Sequence, residues 1–460
     1  MENRGRGRLR GVAVLAALAA VAVTAAAWTG SSAASSKQTA DNPFAHYGNI
    51  TLNVWSADNQ DPGPEPVIKA LAASFSKKYP NVKVKLKFYS FTSYIKILKL
   101  ALNSSNAPDV AEGNQGFGLD SVLVKAKLIR NLDPYAAKYG WGKYYPPGTA
   151  QQFRWTPDGK TYGKGNLWGV GQFGQSVGVF YNKTLLKQYG GDPNNMPKTF
   201  ADFSKLLATL RAKAPSSLPI IELGNKAGYE SLHDFGMVQG AFVPAQFMRN
   251  WIFHVPGSDY TAPANIKALT EFQTWFKNNY FGSDYNAVDE NDASAAFAKG
   301  KGVFYLGGNW QAQVIQSGLK DQVGFMDMPP GPSGKYVSIG ATSLPWHISS
   351  KTKYADVGAA FINWLISSKG SAALMYTQNQ VPAISGAPAA KGNPYLSSLV
   401  TGWQTLVKAN GLTLYPDWAS TNMLTVMSTE FQKMIAQRQT PEDTAKAIQA
   451  EWASFDKTIK

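Results

Sequence analysis

The 460-residue chain contains no cysteine. That excludes disulfide staples, thiolate metal sites and cysteine nucleophiles, and it excludes the lipid-modified cysteine that tethers many exported bacterial proteins. Histidine is scarce, at four residues, and no H-E-x-x-H pair occurs, so no metal set is visible in the sequence and no metal or other cofactor is expected. Gly159-Lys160-Thr161 ends like a phosphate-binding loop, but the required first glycine falls at Arg154. Downstream of residue 27 no apolar run resembles a membrane span. No short-period repeat is present, which removes solenoids and propellers.

The opening MENRGRGRLR, the apolar run Gly11 to Ala27 and the small residues after it have the three regions of a secretory leader. A signal peptide is therefore expected over 1–33, cleaved after Ala27 or Ala33, followed by a linker over 34–48. An uncleaved anchor is the competing reading, but the run is shorter than the roughly 20 residues a spanning helix needs and is mostly alanine. The mature protein is expected to be secreted or extracytoplasmic, associated with the cell surface. Formal net charge is +15, and removing residues 1–33 leaves +12. The lysines are spread along the chain and not gathered in blocks, so an adapted surface explains them better than a nucleic-acid partner.

Residues 49–55 alternate as a strand, Val67, Ile68, Leu71 and Phe75 recur at helical spacing, and Asn81-Val-Lys-Val-Lys-Leu-Lys-Phe88 alternates apolar residues with lysine. The last pattern predicts a strand near a sheet edge. A helix over 94–102 and a short strand over 107–111 follow. Strand, helix, strand, helix, strand is the pattern of a mostly parallel α/β sheet, with ligands at the carboxyl ends of its strands. A hairpin is expected over 153–162 around Asp158-Gly159. Thr199 should cap a helix, Asp289 reads as a helix cap in preference to a calcium loop, and helices are expected over 354–375, 422–435 and 441–455.

GQFGQSVGVFYNK, Gly171 to Lys183, holds a literal G-x-S-x-G around Ser176. A nucleophile elbow needs a helix after the serine, whereas Val-Gly-Val-Phe-Tyr has strand composition. A secreted hydrolase of esters or glycosides, with His233, His254 or His347 completing a triad, is therefore the alternative reading. Aromatic content is 12%, with 13 Trp and 21 Tyr. A sugar site needs aromatic planes for the ring faces and Asn, Gln, Asp or Glu for the hydroxyls.

In order along the chain come ITLNVWSADN, AASFSKKYPNVKVKL, NSSNAPDVAEGNQG, GNLWGVGQFGQSVGVFYNKTLL, MPKTFADFSKLL, AFAKGKGVFYLGGNW, VGFMDMPPGP and YADVGAAFINWLIS. This order resembles the family 1 extracellular solute-binding proteins of ABC importers, the group that includes maltose-binding protein, over roughly Ile50 to Phe455. The resemblance implies a two-lobed α/β fold of the periplasmic-binding-protein type (type II), with a hinged ligand cleft between the lobes. The lobes would comprise 49–182 plus 307–354, and 183–306 plus 355–460. It further implies a monomer that captures a carbohydrate and delivers it to the permease subunits of an importer, without catalysis.

By the same resemblance, Trp310 and Trp418 fall where the family stacks aromatics on sugar. Gln175 stands where the maltose-binding member has a carboxylate. Asn114 and Gln115, Asp58 and Asn59, and Tyr229 with Glu230 occupy positions that bind hydroxyls or faces, while Asp109 is structural. Gly113 departs from the pattern, since the maltose-binding member has a stacking tryptophan there, which puts maltose itself in doubt. A polyol-phosphate, polyamine or peptide ligand is a third reading; the net charge would favour an anion only if lysines converged on the cleft.

Overall fold

A computed structural model describes residues 42–460 except 59–62, 146, 369, 385–386, 388–389 and 391. The expected leader, the linker up to residue 41 and the candidate Asn59 lie outside the described residues. The chain divides into a short unit ending at His46 and a main unit, Tyr47–Lys460. In the first, the Asn42 side chain accepts the Phe44 N–H at 3.1 Å in a local turn.

The strands of the main unit, in chain order, are β1 (Ile50–Ser56), β2 (Val82–Phe88), β3 (Val110–Glu112), β4 (Arg154–Trp155), β5 (Asn166–Leu167), β6 (Val170–Gly171), β7 (Gly174–Asn182), β8 (Ile221–Glu222), β9 (Phe304–Gly308), β10 (Val323–Met326), β11 (Gly340–Thr342) and β12 (Pro345–Ile348). The first sheet runs β2-β1-β3-β12-β6, parallel at β1–β2 and β1–β3 and antiparallel where β12 enters. As its alternation predicted, β2 is the outer strand, with Lys83, Lys85 and Lys87 exposed. Charged side chains on an outer strand also discourage edge-to-edge pairing with another chain. The second sheet runs β10-β7-β9-β8, and β11 also pairs with β7.

Local signals hold in several places. The Thr199 hydroxyl accepts the Asp202 N–H at 3.1 Å and starts the helix Phe200–Lys213. Asp289 does the same for Asp292 at 3.0 Å, opening the helix Glu290–Ala298. Two expectations are corrected. The helix expected over 354–375 is two helices, Ala355–Ser367 and Ser371–Thr377, because Gly370 takes φ +96° and breaks the spiral. The hairpin expected over 153–162 does form: Trp155 bridges Tyr162 antiparallel around the turn at Gly159, and β4 pairs in addition with β5.

Sheet membership also departs from the expected lobe bounds. β9 and β10 hydrogen-bond to β7 in the second sheet, so residues 307–326 do not join the first. The helix Ala355–Ser367 packs beside the first sheet: Phe361 and Trp364 lie 5.4 and 6.0 Å from Phe75 of the helix Pro64–Lys78, and the Trp364 indole N–H donates to Ser74 Oγ at 2.8 Å. Apolar periodicity states that a helix buries a face, but not which sheet receives it.

Three segments cross between the sheets, and they are laced together. The first runs from β6 to β7, the second from β11 to β12, and the third passes through Val381–Ala383. Ser343 Oγ accepts the N–H groups of both Gln172 and Phe173 at 3.1 Å, and the Ser343 N–H donates to Phe173 O at 2.7 Å. Gly174 N–H donates to Val381 O at 2.8 Å, and Ala383 N–H to Gln172 O at 3.2 Å. The chain is thus a two-lobed α/β protein whose lobes share a narrow, hydrogen-bonded connection.

Candidate functional site

The loops at the carboxyl ends of β1 and β3 form one wall. Ala57 N–H donates to Glu112 Oε2 at 3.0 Å, and the Tyr94 hydroxyl donates to Glu112 O at 2.8 Å. Asp58 turns back on Ser56, whose Oγ accepts the Asp58 N–H at 3.1 Å. Burial pushes the Asp58 carboxyl up to about 7, the Ser56 hydroxyl bond pulls against that rise, and the Glu65 charge adds to it.

The loop after β3 is fixed from beneath. Asp120 accepts the Asn114 N–H at 3.2 Å and returns its own N–H to Asn114 O at 3.1 Å. His347 lies under it with Nε2 3.0 Å from Asp120 Oδ1 and Nδ1 2.7 Å from Trp168 O. Two acceptors at two ring nitrogens require both protons, so the imidazolium form fits. Burial opposes that charge, but the Asp120 carboxylate and the Trp168 carbonyl together hold the His347 pKa above the ordinary value. A Cβ on Gly113 would stand 2.2 Å from His347 Nε2. The absent tryptophan therefore has no room.

Gln115 is 2% exposed, and its amide nitrogen faces Gln152 Oε1, Thr342 O and Ser343 O at 3.0, 3.1 and 3.0 Å. Its amide hydrogens tie the loop to the crossing segment. Gln175, by contrast, is half-buried on β7 opposite Ala341, and its amide makes no hydrogen bond among the described residues. Ser176 follows it inside the nine-residue strand, 1% exposed. No strand-turn-helix presents that serine, so the elbow geometry is missing.

The opposite wall comes from the helices Glu230–Gly240 and Glu290–Ala298, the turn Asn309–Gln311 and the segment Tyr415–Ala419. Glu290, the first residue of its helix, accepts the Trp310 indole N–H at 2.9 Å and the Tyr229 hydroxyl at 3.1 Å. Burial pushes its carboxyl up to about 7, against the pull of those two bonds. His233 sits among three aromatic rings, 5.3 Å from Tyr229, 5.6 Å from Trp310 and 5.4 Å from Tyr415. Burial pulls its pKa down to about 3, so the imidazole is neutral. Asp417 is also raised by burial, to about 7.

Contacts close the two walls into a ring. Gly116, at φ +89°, lies directly against the Trp418 Cβ, and the Phe117 N–H donates to Trp418 O at 3.0 Å. Trp418, 3% exposed, stands 5.1 Å from Tyr415, which meets His233. Tyr229 reaches across to Phe91 at 6.2 Å, and Tyr94 of the same helix, Phe91–Asn103, returns to Glu112. Of the candidates, Asp58, Asn114, Tyr229, Glu230, Trp310 and Trp418 stand on or beside this ring, whereas Gln115 faces the connection. His233, Asp234, Glu290, Tyr415 and Asp417 are additional members. Tyr415 and Asp417 share the Tyr-Pro-Asp-Trp turn with Trp418, a signal that could have found them; Glu290 was concealed inside its own helix-cap motif.

Comparison with known proteins matches residues 57–372 to the family described as bacterial extracellular solute-binding protein. A "Multiple sugar-binding protein" of Streptococcus mutans serotype c is 24% identical over 310 residues, which are 64% of this chain and 66% of that protein. The chain thus spans just under two thirds of that relative's length. Among solved structures, a chitin oligosaccharide binding protein superposes with TM-score 0.74 at 18% identity, over 89% of this chain and 99% of its own. The bacterial solute receptor AcbH, described with a preference for β-D-galactopyranose, gives TM-score 0.74 at 16% identity, over 88% and 99%.

Proposed function

Because the chain belongs to the bacterial extracellular solute-binding proteins, we propose that it is the extracytoplasmic receptor of an ABC importer. In this reading it takes a saccharide between its two walls and presents it to the permease. The observation that carries the reading is the ring itself. Trp310, Tyr229 and Tyr415 offer aromatic faces around His233, with the Glu290 carboxyl bonded between Trp310 and Tyr229. Sugar rings present apolar faces and polar edges, and such a lining matches both. The names of the relatives, sugar and oligosaccharide receptors, agree with it.

The lobe-to-lobe connection supports the mode of action. A few crossing residues absorb the rotation of hinged domains, while each sheet moves as a body. The test is a thermal-shift screen over mono- and oligosaccharides, sugar phosphates and peptides. A saccharide at 100 times its Kd should add about 2.7 kcal/mol to stability. Trp310→Ala should cut the shift to about half or less while leaving the unliganded melting temperature close to the parent's. A screen in which only peptides or phosphates shift the protein would sink the reading.

A further inference from the structure

Within this proposed saccharide site, the carboxylates identify the kind of solute. Glu230 and Asp234 stand four residues apart on one face of the helix Glu230–Gly240, with exposures of 4% and 1%. Neither oxygen of Glu230, nor Oδ2 of Asp234, has a side-chain partner. Glu290 is close enough to act electrostatically on both, and its two oxygens hold Trp310 and Tyr229 in place. Burial first, and the neighbouring Glu290 charge second, push Glu230 up to about 8, although amide N–H groups at the helix start offset part of that rise.

Among the described residues no ion pair reaches any of these three acids. The chain carries a surplus of fifteen positive charges, yet this wall of the ring gathers three buried carboxyl groups. No three acidic or histidine side chains among the described residues stand close enough to hold a metal ion. A compact organic cation meets the geometry instead: carboxylates on one side, and aromatic faces with a neutral imidazole on the other. Ammonium groups gain from both, by charge-assisted hydrogen bonds and by attraction to ring faces.

We propose that the solute is an amine-bearing saccharide, its protonated amino group held by Glu230 and Asp234 and its ring faces set against Trp310 and Tyr229. Burial favours the protonated acids in the unliganded site, and a neutral sugar leaves them so. An ammonium compensates their ionised forms and draws the protons off. The inference rests on the saccharide reading and narrows it.

The experiment compares three ligands on one skeleton: β-1,4-linked glucosamine oligomers with a free amine, the same oligomers N-acetylated, and the matching glucose oligomers with a hydroxyl. Dissociation constants are measured near neutral pH by calorimetry on the parent protein, Glu230→Gln and Asp234→Asn. The free amine should bind at least about tenfold tighter than either neutral analogue. Both variants should fold, as checked by circular dichroism, and lose the amine preference, binding the free-amine oligomer no tighter than its neutral analogues. Equal or tighter binding of a neutral oligomer would overturn the amine assignment and leave the saccharide reading intact. Binding of a simple diamine with none of the saccharides would overturn the saccharide reading itself.

Discussion

On the first-sheet wall, Gln115 spends its amide hydrogens on Gln152, Thr342 and Ser343, and His347 lies between two acceptors. Across the ring, Glu230 and Asp234 are buried as deeply, yet keep carboxylate oxygens without side-chain partners. Burial alone does not separate a structural polar group from a binding one. Expenditure does: a buried group whose capacity is consumed inside the protein shapes the wall, and one whose capacity is left over faces a ligand.

The largest effect should come from His347→Leu, which strands the buried Asp120 carboxylate. Urea unfolding near neutral pH should show a loss of about 3–5 kcal/mol. The stabilisation it removes has a defined pH window. A histidine held above its unfolded value stabilises fully below that value, and the contribution fades as pH rises through the folded pKa. A variant as stable as the parent would erase the contrast between the walls.

Glu230→Gln should act in the opposite sense. The unfolded carboxyl ionises near 4.5, while the folded one stays protonated up to about 8. The unliganded parent therefore loses stability as pH rises through that interval, and the amide variant should not. Above it the variant should be more stable by about 2 kcal/mol, visible in denaturant titrations at several pH values.

Trp310→Ala should weaken saccharide binding about tenfold or more, some 1.4 kcal/mol, in a tryptophan-fluorescence or calorimetric titration. The finest discrimination lies in the two glutamines. Gln115→Ala should cost about 1 kcal/mol of stability, because two carbonyls and Gln152 lose a donor. Gln175→Ala should leave stability within about 0.5 kcal/mol and reduce ligand affinity instead. If the glutamines behaved alike, expenditure would not be the distinguishing property.

Much of the frame was legible because it is local. Alternating lysines marked an outer strand, and Thr199 and Asp289 announced helix starts by a chemistry that operates within three residues. Sheet assignment was not legible for β9 and β10, since an apolar strand fits either sheet until its backbone finds a partner. The site was half legible. Trp310, Trp418, Tyr229 and Glu230 lie in turns or at a helix start with recognisable company, but their grouping depends on Glu290, which is 61 residues from Tyr229 in sequence and bonded to it in space. Gln115 was indistinguishable from a ligand contact because its partners, Thr342 and Ser343, come from more than two hundred positions away.

Gly113 constrains what this protein can become. A Cβ there would meet an imidazole that is pinned at both nitrogens, and Asp120 Oδ1 at 2.6 Å. The first step toward placing an aromatic side chain at 113 therefore has to be taken at 347 and 120, where each single change exposes a charge to a dry interior. The order of substitutions matters, and intermediates along the route are less stable than either end. Redesign of specificity therefore has more freedom at the acids across the ring.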